Sequence, residues 1–178
     1  MRFIQTPLPG AWVIELERFS DERGWFARSF DPDEFQARGL DPTVAQCNVS
    51  FNARRGTLRG MHYQAEPHGE SKLVRCVRGT IFDVAVDLRD DSASRCQWHG
   101  VELSGENRLA YYIPAGLAHG FQTLTDDCEV LYQMGHRYVP DAGRGVRFDD
   151  PAFAIQWPQP AGQRIVSDRD RSYPDFSP

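Results

Sequence analysis

No segment of this 178-residue chain runs far without a turn former. Fifteen glycines and twelve prolines interrupt it, and each tends to end a regular element, through excess backbone freedom or a missing N–H. The stretches between them are short and have β character. GAWVIELERF (10–19) alternates apolar and polar residues, as a half-buried strand does. KLVRCVRGTIFDVAVDLR (72–89) reads as two strands about a turn near Arg78-Gly79. Its second strand carries apolar Ile81, Val84, Val86 and Leu88, with Asp83 and Asp87 on its polar side or at its ends. LAYYIPAGLAHGFQTL (109–124) predicts two strands joined by Pro-Ala-Gly, and CEVLYQMGHRYV (128–139) predicts another. Many short strands with frequent turns predict an all-β sandwich or barrel. The best helix is DPDEFQARGL (31–40), with Asp31 as N-cap, Pro32 in the first turn and Gly39 at the C-cap. From Pro151 onward periodicity is lost, and residues 151–178 are expected to pack as an arm on the barrel. With no internal repeat or linker, residues 1–178 are expected to form one domain.

Charge narrows the partners. The formal net charge is -5, which excludes a broad nucleic-acid or membrane footprint. An anionic small molecule would need a local basic cluster. Nineteen of the twenty basic residues are arginine, and Lys72 is the only lysine. Cys47, Cys76, Cys96 and Cys128 form no C-x-x-C pair and have no zinc spacing. There is no signal-peptide pattern and no apolar run of membrane-spanning length, so free thiols and a cytoplasmic setting are expected.

His62, in TLRGMHYQ (57–64), is open to three readings: a core imidazole, a metal ligand or a base. PAGLAHGF (114–121) fits the P-x-G-x-x-H part of a cupin motif, whose jelly-roll barrel holds a metal or a substrate at its mouth. A metal needs three or four converging donors. Only His62 and His119 are good candidates, since His68 is expected in a loop. No metal and no cofactor are expected.

Several stretches occur in a telling order: SDERGWF (20–26), QCNVSFN (46–52), TLRGMHYQ, SKLVRCVRG (71–79), YYIPAGLAHGF (111–121), EVLYQM (129–134) and WP…SDRD (157–170). Together they resemble the dTDP-4-dehydrorhamnose 3,5-epimerase family, a metal-free cupin branch, over nearly the whole chain. The resemblance implies a jelly-roll cupin, paired in family fashion as a homodimer through its sheets and N-terminal segments. It implies inversion of the carbons beside the ketone of a nucleoside-diphosphate 4-keto-6-deoxyhexose. Such chemistry needs a base, an electrophile at the oxygen and an acid on the opposite face. By resemblance His62 is the base, oriented by Asp170, with Asp168 as the fallback. Tyr132 is the acid and Lys72 the enolate-oxygen partner. His119 is assigned to substrate positioning. Arg23 and Arg59 match diphosphate contacts, Gln46 and Asn48 a polar lining pair, and Phe26 and Tyr138 base-stacking positions.

The chain departs from the family pattern at Arg28, Cys47, Ala110, Gln133 and His136. These changes leave the proton-transfer set intact but open the choice of nucleotide and the number of carbons inverted. The rivals are therefore a one-centre epimerase or ketoisomerase on another nucleotide sugar, a non-catalytic nucleotide-sugar-binding cupin and, more distantly, a metal-dependent dioxygenase.

Overall fold

The computed structural model describes residues 1–177. The chain opens with β1 (Arg2–Gln5), β2 (Trp12–Glu15), β3 (Phe19–Asp21) and β4 (Gly24–Phe26), then forms helix α1 (Pro32–Gln36). The barrel strands follow: β5 (Gln46–Asn52), β6 (Leu58–Gln64), β7 (Lys72–Arg78), β8 (Thr80–Asp87), β9 (Trp98–Ser104), β10 (Ala110–Ile113), β11 (Leu117–Thr123) and β12 (Cys128–Met134). Short β13 (Gly143–Gly145) and helix α2 (Asp168–Arg171) complete the set.

Two antiparallel sheets face each other, in the order β1-β2-β10-β7-β12-β5 and β13-β6-β11-β8-β9, while β3 and β4 form a separate hairpin. This is the all-β cupin jelly roll expected. Successive strands switch sheets: β7 and β8, joined through Gly79 (φ +76°), lie in opposite sheets. So do β10 and β11 on either side of Pro114-Ala115-Gly116. Val13, Val74, Tyr111 and Val130 from one sheet meet Ile81, Ala85, Leu103 and Phe121 from the other, filling one part of the lumen. The outer face of the five-stranded sheet is also dry. Met61, Val84, Val86 and Ala118 pack there against Phe148, Phe153, Ile155 and Trp157 from the C-terminal segment. Trp157 Nε1 donates to Phe148 O at 2.8 Å, which satisfies its polar atom.

Three expectations need correction. The helix covers only Pro32–Gln36, capped by Asp31, whose carboxylate accepts from Asp33 N and Glu34 N. The chain reverses at Gly39 (φ +71°), where Leu40 N donates to Phe35 O at 3.1 Å and Gly39 N to Gln36 O at 3.0 Å. That ring of bonds ends the helix a turn early. The strand expected over 10–19 is interrupted: it holds at Trp12–Glu15, breaks at residues 16–18, where Glu17 accepts from the N-terminal amine at 2.8 Å, and Phe19 already belongs to β3. Asp87 does mark the end of β8, but Asp83 lies mid-strand and not on a wet face; both are fully buried. Asp87 is sustained by Arg89, Ser92 and Ser94, whose hydrogen bonds outweigh burial and bring its carboxyl down to about 2. No helix is long and apolar enough to cross a membrane, among the described residues.

Candidate active site

The unfilled part of the lumen is a cavity of about 430 Å³. Strand register explains its walls, because directly paired residues project from the same face of a sheet. In the five-stranded sheet His62 of β6 is opposite His119 of β11, which is opposite Ala85 of β8. In the six-stranded sheet Asn48 of β5 is opposite Tyr132 of β12, which is opposite Val74 of β7. His62 and Tyr132 thus reach one cavity from opposing sheets.

Close approach of β6 to β11 makes this possible. A Cβ on Gly120 would lie 2.7 Å from Arg59 O, and one on Gly60 would lie 2.8 Å from His119 O. Only glycine fits where the two histidine strands touch.

Each ionisable group has a defined partner. The His62 Nε2 to Asp170 Oδ1 distance is 2.7 Å. Asp170 arrives on α2, which Ser167 caps by accepting from Asp170 N at 3.2 Å. Asp170 is buried, and its Oδ2 accepts from Gly60 N at 3.3 Å. Burial raises its carboxyl, but the bond and charge of His62, with help from Gly60 and Ser167, hold the net value below the ordinary range. Asp170 is therefore ionised at neutral pH, so Nε2 carries the proton and Nδ1 is left basic. Asp168, two residues away, is exposed. His119 Nε2 lies 2.8 Å from Asp83 Oδ1, and burial pushes the Asp83 carboxyl up against the pull of that histidine. The His119 and Tyr132 rings meet edge to face, 6.2 Å apart.

The Tyr132 hydroxyl lies 3.0 Å from Ser50 Oγ. Burial raises this phenol above its usual value despite Ser50, so it stays protonated at neutral pH. Lys72 is buried, with Nζ 2.7 Å from Glu70 Oε1. Arg59 also lines the cavity, its Nε donating to Asn52 Oδ1 at 2.7 Å. Among the described residues, no group of three or more His, Cys, Asp or Glu side chains is placed to hold a metal ion.

The cavity therefore collects His62, Asp170, Tyr132, Lys72, Arg59, Asn48 and His119. Gln46 and Tyr138 do not line it, but Tyr138 N donates to Gln46 Oε1 at 3.0 Å, so the two are tied together. Arg23 and Phe26 lie away from it on the β3–β4 hairpin. Arg23 pairs with Asp21, and Phe26 is 73% exposed. None of Arg28, Cys47, Ala110, Gln133 and His136 lines the cavity. Six lining residues were missed, the apolar Phe121 and Met134 and four polar ones. Ser50 is legible in retrospect, two positions from Asn48 on the same strand face. Glu70, Ser167 and Arg169 sit in a loop or on a one-turn helix, where no periodicity marks them.

A cavity lined by a carboxylate-held imidazole, a protonated phenol and a lysine paired with Glu70 suits proton removal and return at a carbon beside a carbonyl. Known proteins agree. The family model for dTDP-4-dehydrorhamnose 3,5-epimerase matches residues 5–178. The dTDP-4-dehydrorhamnose 3,5-epimerase of Methanothermobacter thermautotrophicus is 47% identical over 174 residues, covering 97% of this chain and 92% of that protein. The crystal structure of the enzyme of that name from Elizabethkingia anophelis superposes with a TM-score of 0.96 at 37% identity, covering 99% of this chain and 96% of that one. A 3'-monoepimerase from Streptomyces bikiniensis, solved in complex with dTDP-quinovose, superposes with a TM-score of 0.88 at 38% identity, covering 97% and 86%. On fold, cavity and full-length similarity together, this chain belongs to the dTDP-4-dehydrorhamnose 3,5-epimerase family.

Proposed function

We infer that this protein is an isomerase that epimerises a dTDP-linked 4-keto-6-deoxyhexose at C3 and C5, the carbons flanking the ketone. His62 Nδ1 removes the proton from one of these carbons. Its Nε2–H stays on the Asp170 carboxylate, which stabilises the imidazolium that forms. Electrons move into the carbonyl to give an enolate, and the Lys72 ammonium stabilises the charge on its oxygen. Tyr132 then gives its proton to the same carbon from the other side, and the configuration inverts. Ser50 and Arg59 ease the transient phenolate. Exchange with water resets both groups, since the His62 side chain is 42% exposed. Arg59 supplies a diphosphate contact. Asn48 and His119 hold the sugar so that each carbon is presented in turn.

Support rests on one observation above all: His62 and Tyr132 line a single cavity from facing sheets. The test is to incubate the protein in D2O with dTDP-4-keto-6-deoxyglucose and follow the sugar by NMR. Deuterium entering both C3 and C5, with inverted product, supports the reading. No exchange at either carbon overturns it. Exchange and inversion at one carbon only would favour a one-centre epimerase, a reading to which the similarity to a 3'-monoepimerase gives weight.

The working form in this reading is a homodimer in the cytoplasm. Phe19 and Phe26 are 72% and 73% exposed on the hairpin, and Val49 and Phe51 are exposed on edge strand β5. A second copy would cover this apolar surface. It would also give Arg23 and Phe26, which have no place at the cavity of their own chain, access to the diphosphate and base at another. Four free cysteines suit a reducing compartment.

A further inference from the structure

Lys72 stands at the start of β7, opposite Met134 of β12 and Ile113 of β10. Its side chain is buried almost completely. A lysine so placed is poor at keeping its proton, because burial penalises the charged form. Burial indeed pushes the Lys72 ammonium down from its usual range, and Glu70 is the group that opposes the change. The other titratable groups around the cavity are Tyr132 on β12, His62 and Arg59 on β6, His119 on β11 with Asp83 behind it, and Arg169 and Asp170 on α2. Among the described residues, Glu70 is the only carboxylate in a salt bridge with Lys72.

Glu70 is itself held firmly. One oxygen meets Lys72, and Oε2 accepts from Gln64 Nε2 at 3.0 Å. Gln64 also donates to Arg137 O at 3.2 Å and accepts from Val139 N at 2.7 Å. The carboxylate is thus braced between β6 and the segment that carries Tyr138. One ammonium hydrogen is directed to Glu70, leaving the other two for a ligand in the cavity.

We propose that Glu70 is the positioning residue that keeps Lys72 cationic and aimed into the cavity, so that the enolate forms against a charged donor and not a neutral amine. This rests on the epimerase reading, but its test does not require turnover. Because Lys72 is the only lysine in the chain, protein grown with lysine labelled at Cε and Nζ gives a single lysine side-chain signal. That signal is titrated by NMR in the wild type, Glu70→Gln and Glu70→Asp. The Glu70→Gln midpoint is expected to fall by about one pH unit or more, as loss of an adjacent opposite charge implies, while Glu70→Asp stays nearer the wild type. The alkaline limb of the kcat profile should move down with the Glu70→Gln midpoint, with KM changed far less. An unmoved midpoint, or a uniform fall in kcat with an unmoved limb, would assign Glu70 a purely structural role and overturn the proposal. Should Glu70→Gln not fold, the wild-type titration decides. A lysine still charged at pH 7.5 supports the pairing, and a neutral one refutes it. Wild-type protein that exchanges no deuterium into any keto-sugar would refute the epimerase reading instead, leaving the titration to judge Glu70 on its own.

Discussion

At the scale of single residues, the proposed roles of His62 and Tyr132 separate proton removal from proton return, and substitutions should separate them too. Tyr132→Phe removes the acid but leaves His62 and Asp170 in place. It should still wash deuterium into the keto-sugar at a carbon beside the ketone, C3 or C5, while inversion drops about a hundredfold or more. An NMR time course reads both events in one tube, and loss of exchange together with inversion would contradict the division of roles. Asp170→Asn should cost kcat about a hundredfold or more, because the amide no longer selects the Nε2–H tautomer. The same residue makes a stability prediction. Its native carboxyl is held below the ordinary range, with the imidazole bond and charge overcoming burial. Its contribution is therefore fully present above the unfolded value and lost as pH falls through the native value. Urea denaturation of wild type and Asp170→Asn should differ most near neutral pH and converge in acid. A gap that widens on acidification would reverse the sign and contradict the pairing.

At the scale of elements, the strands were largely legible and the connections were not. Short β-rich runs between turn formers located β7, β8 and β11 within a residue or two, while the strand expected over 128–139 stops at Met134. Such runs could not show that β7 and β8 enter different sheets, because a turn at Gly79 is compatible with a simple hairpin. Nor could they show that Asp83 points inward, since a buried aspartate looks polar until its histidine is in place. Motif resemblance, not periodicity, brought Asp170 to His62, and neither kind of signal reached Glu70. The two histidine strands depend on two glycines. Gly120→Ala would drive a methyl against Arg59 O at 2.7 Å and Met61 Sδ at 2.6 Å. Backbone cannot yield as a side chain tip can, so the variant should lose a few kcal/mol of stability and most of its activity. Thermal melts alongside the exchange assay check this, and a variant with the wild-type Tm would show that β6 and β11 have slack.

At the scale of the whole molecule, the C-terminal segment is a second hydrophobic layer as well as the carrier of Asp170. Trp157 is buried against Phe82, with ring centroids 6.3 Å apart. Trp157→Ala should destabilise the fold by about 3–5 kcal/mol, as deletion of a buried tryptophan does elsewhere, and denaturant titration measures it. Assembly makes a further prediction. If the proposed homodimer forms, mixing Arg23→Ala with His62→Ala subunits should recover activity that neither shows alone, because one cavity in the mixed pair combines a sound His62 with a sound hairpin. Sedimentation at working concentration, together with that mixing experiment, tests the arrangement; a monomer in sedimentation would refute it. The His62–Asp170 contact links positions 108 apart in the chain. The carboxylate that holds the imidazole is thus on loan from the far end of the chain: cutting the tail before Ser167 would leave every barrel strand in place and still take the partner of His62 away.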